Sequence, residues 1–339
     1  MFKYLSLLIV VLITIVLSSC ETDFNPNAEY KDITVVYGLL NQSDTFTYIK
    51  INKAFLGNES AYLMAQNEDL SHYNDTILEV KMEEIVNGSI TKVYNFDTTT
   101  IYNKEAGIFY APKQILYKCY TLNQLKQNYT YNLTIKNKLS GKIISAKTSL
   151  VNRFDITRPI SGQRTIDFTT VTTSKSRVEW YSTYGGKKYS TTMRINYSES
   201  NDGINYISKY IDLNLGTQTR NTTESGTEMT ADYYGLIYFE TLNNNLAHNT
   251  LTGPQNYFRK PGKIEFFITV AGDDLSTYIE VNQASNSIVQ IRPEFTNINN
   301  GIGIFSARYI TAPDHPRIMD IGLKTKTILH DQYPLLGFN

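Results

Sequence analysis

The sequence lacks most of the features that point straight to a chemistry. Lys and Arg number 32 and Asp and Glu number 32, so there is no broad positive field for nucleic acid and no acidic excess either. Two cysteines, Cys20 and Cys119, allow at most one disulfide. His72, His248, His315 and His330 are scattered, with no His-Glu-x-x-His pair and no cysteine spacing beside them, so neither a zinc site nor any other cofactor is expected. A Gly-x-Ser-x-Gly elbow, an EF-hand spacing, a low-complexity block and a repeat of fixed period are all missing. Alanine is scarce, which argues against a helical protein. What is abundant is Tyr (26) and Phe (15), among many Thr, Asn, Ile and Val, a composition that favours strands joined by polar turns.

The longest apolar run, Leu5 to Leu17, is broken by Ser6 and Thr14 and is too short to cross a bilayer core of about 30 Å. With Lys3 before it and small residues after it, the run reads as a secretory signal over residues 1–19. Leu17, Ser18 and Ser19 before Cys20 resemble the lipobox of bacterial lipoproteins, which implies cleavage there and acylation of the new terminal cysteine, palmitate included. A Cys20–Cys119 disulfide is the competing use. Cys119 lies in the strand-like LYKCYTL, where a small buried hydrophobe is the ordinary reading, so lipid is the favoured one. Several acyl chains hold a protein firmly where one holds it marginally. Residues 20–30 then form a lipidated tether. Its Glu21 and Asp23 sit where surface lipoproteins of Bacteroidota carry acidic export signals, so an outer-membrane, surface-exposed position is expected, with a periplasm-facing one as the alternative.

Beyond the tether the pattern predicts a mostly β chain of two domains. An Ig-like β-sandwich is expected over 31–150, a linker over 151–162, and a larger β domain over 163–339 with a helix near 231–246. In TFTYIKINKAF, Ile49 and Ile51 point one way while Lys50 and Asn52 point the other. Leu78, Val80 and Met82 alternate with Glu79, Lys81 and Glu83, and Asn87-Gly88 then announces a hairpin. The segment AYLMAQNEDLSHY, 61 to 73, reads as a loop or one or two helical turns bulging from the sheet. Further on, TIDFTTV (165 to 171) reads as a strand and Gly185-Gly186 as a hairpin turn between EWYSTY and YSTTMRI. Tyr234, Ile237, Tyr238, Thr241 and Leu242 fall on one helical stripe with Thr230 as its cap, and DDLSTYIEVNQ can form a short helix.

This order, closing with FTNINNGIGIFSAR at 295 to 308, resembles a family of uncharacterised Bacteroidota lipoproteins known as a domain of unknown function. The resemblance implies an extracytoplasmic all-β lipoprotein near a TonB-dependent outer-membrane transporter and supplies no catalytic residue. Asn300-Gly301-Ile302-Gly303 lacks the third glycine and following helix of a dinucleotide site, and reads as glycines easing a bulge on the way into a strand. Two acidic pairs, Glu83-Glu84 and Asp273-Asp274, are the carboxylates a glycosidase would need, with solvated strand and helix-start roles as their ordinary reading. Trp180, Tyr181 and Tyr184 are candidate ligand or partner contacts, although successive residues of a strand face opposite sides.

The expected function is therefore that of a non-catalytic binding or accessory lipoprotein at the outer membrane, with the membrane, a transporter or a surface polysaccharide as partner. An adhesin or envelope scaffold and a carbohydrate-active enzyme are the alternatives.

Overall fold

The structure is a computed structural model and describes residues 33–54, 60–250, 252–283, 294–311 and 317–338. The lipobox, Cys20 and the tether lie outside the described residues. The chain is mostly β, 48 % strand and 15 % helix.

Seven strands come first: β1 (Thr34–Leu40), β2 (Phe46–Lys53), β3 (Leu78–Val86), β4 (Ser89–Ile101), β5 (Gln114–Tyr120), β6 (Thr130–Asn137) and β7 (Ile143–Ser149). Their alternating patterns bury Val36, Ile49, Ile51, Val80, Met82, Leu133, Ile135 and Ile144 on one face. The β3–β4 hairpin closes through Asn87 and Gly88, both at positive φ (48° and 80°), as the favoured two-residue turn requires. Two short helices, α1 (Ala61–Ala65) and α2 (Glu68–Ser71), occupy the segment read as a bulge from the sheet.

The expected Ig-like sandwich would keep two facing sheets apart, whereas the pairing here is one continuous path. β4 is long enough to serve two neighbours, Ser89 to Phe96 bonding β3 and Asp97 to Ile101 bonding β5. The order is therefore β1-β2-β5-β4-β3-β6-β7. At its far end Ser145 of β7 exchanges hydrogen bonds of 3.2 and 2.8 Å with Asn299, which leads into β15 (Gly301–Ile310). β15 lies parallel to β1 over seven positions, Thr34 opposite Gly301 through Leu40 opposite Ala307, so the path returns to its start. This pairing also joins the two strand series that the sequence places in separate domains.

The later series comprises β8 (Ile156–Arg158), β9 (Thr165–Ile166), β10 (Lys175–Tyr181), β11 (Lys188–Ser200), β12 (Ile207–Thr219), β13 (Glu228–Tyr234), β14 (Phe258–Ala271), β15 and β16 (Arg317–Ile321). It also holds α3 (Leu236–Asn245), α4 (Asp273–Gln283) and α5 (Leu323–Gln332). β12, β11 and β14 continue the large sheet from β15, while β13-β10-β8 form a separate three-stranded sheet. The two sheets meet through aromatic rings, Trp180 against Tyr189 at 6.3 Å and Tyr233 against Phe266 at 5.6 Å.

Several local expectations change. The linker contains β8, because Ile156 and Arg158 pair with β10. Gly185-Gly186 joins strands of different sheets and is not a hairpin turn; a Cβ on Gly185 would stand 2.5 Å from the Leu150 carbonyl oxygen, which explains the glycine. The segment 165–171 is a strand only to Ile166. Beyond it Asp167 turns to accept from the Thr325 N–H (2.9 Å) in the first turn of α5. The helix expected near 231–246 begins at Leu236, because pairing with β10 keeps residues through Tyr234 in β13 and puts Thr230 mid-strand. The reading of the Asn300–Gly303 run as a backbone device matches its geometry: Asn300 has φ 59°, Gly303 has φ 113°, and a Cβ on Gly303 would lie 2.0 Å from the Val36 carbonyl oxygen.

Candidate functional site

The outward face of β1 and β2 supplies the floor of a cavity of about 260 Å³. Val35 and Tyr37 come from β1, and Lys50 and Asn52 from β2, the positions that the period of two sends away from the core, while Lys53, of the opposite parity, borders the cavity from the end of β2. One wall is the α2 end, Ser71 and His72, fastened by the Asn52 side chain donating to the Ser71 carbonyl (2.9 Å). The other is the loop between β4 and β5, which contributes Lys104 and Phe109. That loop is tied to α1 by Tyr110 N–H donating to the Ala65 carbonyl (2.9 Å) and Gln66 Nε2 donating to the Gly107 carbonyl (3.0 Å).

Three lysines thus line one small space and no carboxylate does, among the described residues. Burial pushes the Lys104 ammonium below its ordinary value, and the Lys50 charge pushes it the same way. Lys53 Nζ donates to the Asp69 carbonyl and Lys104 Nζ to the Tyr110 carbonyl, both backbone partners, and Lys53 also lines a neighbouring pocket with Glu68, Asp69 and Asp75. Glu68, on α2, is engaged by Lys113 at 2.6 Å.

His72 is buried against the Tyr110 ring, 6.3 Å between centroids. Its Nδ1 lies 3.3 Å from the Glu68 carbonyl and 3.0 Å from Ser71 Oγ. A carbonyl only accepts, and Ser71 Oγ spends its proton on the Asn67 carbonyl (3.1 Å), so Nδ1 carries the hydrogen and Nε2 is the bare nitrogen of the neutral ring. Burial lowers the imidazole below its ordinary value; the Glu68 carbonyl and the Glu68 carboxylate oppose this, and Lys104 and Lys50 add to it. Across the floor, burial and a hydrogen bond with Tyr278 of α4 push the Tyr37 phenol up to about 12, so it is a neutral hydroxyl at physiological pH. The cavity therefore offers three lysines, neutral polar groups and apolar walls, a combination suited to holding an anion and its attached body.

The sequence-chosen aromatics are divided by the fold. Trp180 is in the core and cannot meet a ligand, whereas Tyr181 and Tyr184 are exposed and share an open depression of about 440 Å³ with Gln127, Asn152, Arg153 and Phe154. Of the acidic pairs, Glu84 is buried, not solvated. It shares the parity of Leu78, Val80 and Met82, so the period of two sends it inward, where it accepts from Thr91 Oγ1 (2.8 Å) and from the Tyr94 and Tyr131 hydroxyls (3.3 Å each). Glu83 stays near the surface with Lys81 at 3.2 Å. Asp273 opens α4 beside Lys187 at 3.3 Å, and Asp274 accepts from Asn297 at 2.8 Å, both structural tasks. No group of three or more His, Cys, Asp or Glu able to hold a metal occurs among the described residues.

No helix among the described residues is long and apolar enough to cross a membrane. No protein-family model matches the chain, and no curated protein matches it either.

Proposed function

We propose that this chain is an envelope lipoprotein, anchored in the outer membrane through acylated Cys20, that serves as a non-catalytic binding or accessory component and holds an anionic group in the lysine cavity. The observation that carries the binding role is the convergence of Lys50, Lys53 and Lys104 on one apolar-walled space lined by no described carboxylate. The lipobox-like Leu17-Ser18-Ser19-Cys20 supports the anchor, and the resemblance to the Bacteroidota lipoproteins supports a place beside an outer-membrane transporter.

Two measurements test this. Intact-mass spectrometry of the chain purified from a bacterial envelope is expected to show cleavage before Cys20 and added acyl mass; a free thiol there, or a retained leader, refutes the anchor. Calorimetric titration of the full chain with inorganic phosphate is expected to give saturable binding that Lys50→Gln/Lys104→Gln weakens at least about tenfold, each cation contributing through Coulomb attraction. Unchanged affinity in that variant refutes the cavity's role. A second reading, contact with a surface polysaccharide, has its own support in Tyr181 and Tyr184, whose exposed rings stand beside amide groups in one depression.

A further inference from the structure

The loop that walls the lysine cavity through Phe109, and the helix α1 bonded to it, expose apolar side chains. α1 uses Met64 and Ala65 for packing and leaves Tyr62 (58 %) and Leu63 (60 %) in solvent, while the loop bonded to it leaves Ile108 (63 %) and Phe109 (54 %) equally bare. Four large side chains from two separate parts of the sequence are thus held outward on two connections that brace one another through the Tyr110–Ala65 and Gln66–Gly107 hydrogen bonds. Isolated exposed apolar residues need no explanation, but a cluster on the rim of a cationic cavity does. Basic groups flanking projecting aromatic and aliphatic tips are what an interfacial membrane surface requires, the tips entering the headgroup and acyl boundary and the cations meeting phosphate.

The place where the described chain begins says which surface is nearby. Thr34 opens β1 directly opposite Lys53, a cavity residue, and its hydroxyl lies 2.9 Å from the Tyr73 hydroxyl just past His72. The fourteen peptide links between Cys20 and Thr34 span at most about 50 Å. An acylated Cys20 therefore holds the start of β1, and the cavity residues opposite it, within about 50 Å of the bilayer. At such a span the effective concentration of surface is of millimolar order, so even weak contact keeps the face down.

We propose that this face docks on the bilayer, with Tyr62, Leu63, Ile108 and Phe109 in the interface and the phosphate headgroup of an anionic phospholipid taken between Lys50, Lys53 and Lys104. The proposal rests on the anchoring of Cys20 and names the bilayer as the source of the anion. Glu105 and Asp69 also lie on these connections, but neither lines the cavity, and Glu68 is engaged by Lys113.

The sole tryptophan, Trp180, is buried, so Phe109→Trp places a reporter at an exposed tip without touching the core. The full lipidated chain carrying this change is incorporated into vesicles of phosphatidylcholine alone or with roughly 30 % phosphatidylglycerol, each doped with a lipid bearing a shallow spin-label quencher. The expected result is about twofold quenching of the reporter in the anionic vesicles, little in the neutral ones, and loss of quenching when Lys50→Gln/Lys104→Gln is added. Vesicle flotation reads the anchor separately. A chain that floats yet shows no quenching overturns the docking and leaves the anchor standing, and equal quenching in both vesicles overturns the headgroup assignment. Failure to float overturns the anchor and this proposal with it.

Discussion

Replacing Arg259 tests how the fold secures its last turn. The guanidinium is 1 % exposed and fully employed: Nε and Nη2 reach Glu199 Oε2 at 2.7 and 2.6 Å, and Nη1 donates to the carbonyls of Ala247 (2.9 Å) and Leu336 (2.6 Å). Its own backbone N–H donates to the Gly337 carbonyl at 2.7 Å. Arg259→Ala strands two carbonyls and leaves Glu199 with Lys209 alone, whose ammonium is more exposed. Breaking a buried ion pair from one side costs about 3 to 5 kcal/mol, and an orphaned buried carbonyl about 1 to 3 more, partly recovered if water enters. A loss of roughly 4 kcal/mol is expected in urea unfolding followed by circular dichroism, with faster amide exchange across residues 334–338. Arg259→Met/Glu199→Met is expected to lose less than the single change, since no charge is then left unpaired. A loss under about 1 kcal/mol for Arg259→Ala, or a double variant worse than the single, would refute the assignment of the arginine as the clamp on the C-terminal turn.

Other outcomes follow from the same structure. Burial acts to raise the Glu199 carboxyl, but Lys209 and Arg259 outweigh it and hold it below its usual range, so its stabilisation is full above the unfolded value and is lost as pH falls through the folded one. Removing Arg259 should flatten that acid slope in unfolding measured across pH 2 to about 5. His72 is lowered by burial with Lys104 and Lys50 facing it, opposed by the Glu68 carbonyl and by the charge of the Glu68 carboxylate, so its native state resists protonation and stability falls as pH drops below about 6.5. Lys50→Gln removes one of the cations facing the ring and should reduce that loss of stability on acidification, read in the same unfolding series. Gly303→Ala places a methyl against the Val36 carbonyl at φ 113° and should cost at least about 2 kcal/mol by chemical denaturation, since strain and a lost β1–β15 hydrogen bond combine.

The elements that sequence alone foretold are those whose cause is local. Leu78, Val80 and Met82 alternate because one face of β3 is buried, and Asn87-Gly88 tolerates the positive φ of the turn, so the hairpin is written in adjacent residues. The ring closure is not. Thr34 meets Gly301 only in the folded chain, and a parallel partner so remote leaves no periodic mark on either strand; the glycines that permit it look the same as turn glycines. Glu84 misled for a different reason: the period of two puts it on the buried face with Leu78, Val80 and Met82, and polar character says nothing about exposure where buried hydroxyls supply the partners.

The lysine cavity falls between these cases. The period of two already turns Lys50 and Asn52 away from the core, and the irregular stretch from Ala61 to Tyr73 already stands out as a bulge from the sheet. What the sequence could not provide is the meeting of that bulge with the β4–β5 loop over β1 and β2, since the contact is made by backbone groups of Ala65, Gly107 and Tyr110 and by the Gln66 amide, none of which marks a long-range partner. Outward lysines on a strand are ordinary, and each alone is a solubility device. They become a site because two connections wall them in, raise the cost of their mutual repulsion, and keep apolar side chains at the rim where solvated loops would hold polar ones. Placing like charges together at that cost yields no gain to the empty protein; it is recovered only when an anion arrives, and this is the physical ground for reading the cavity as a binding site.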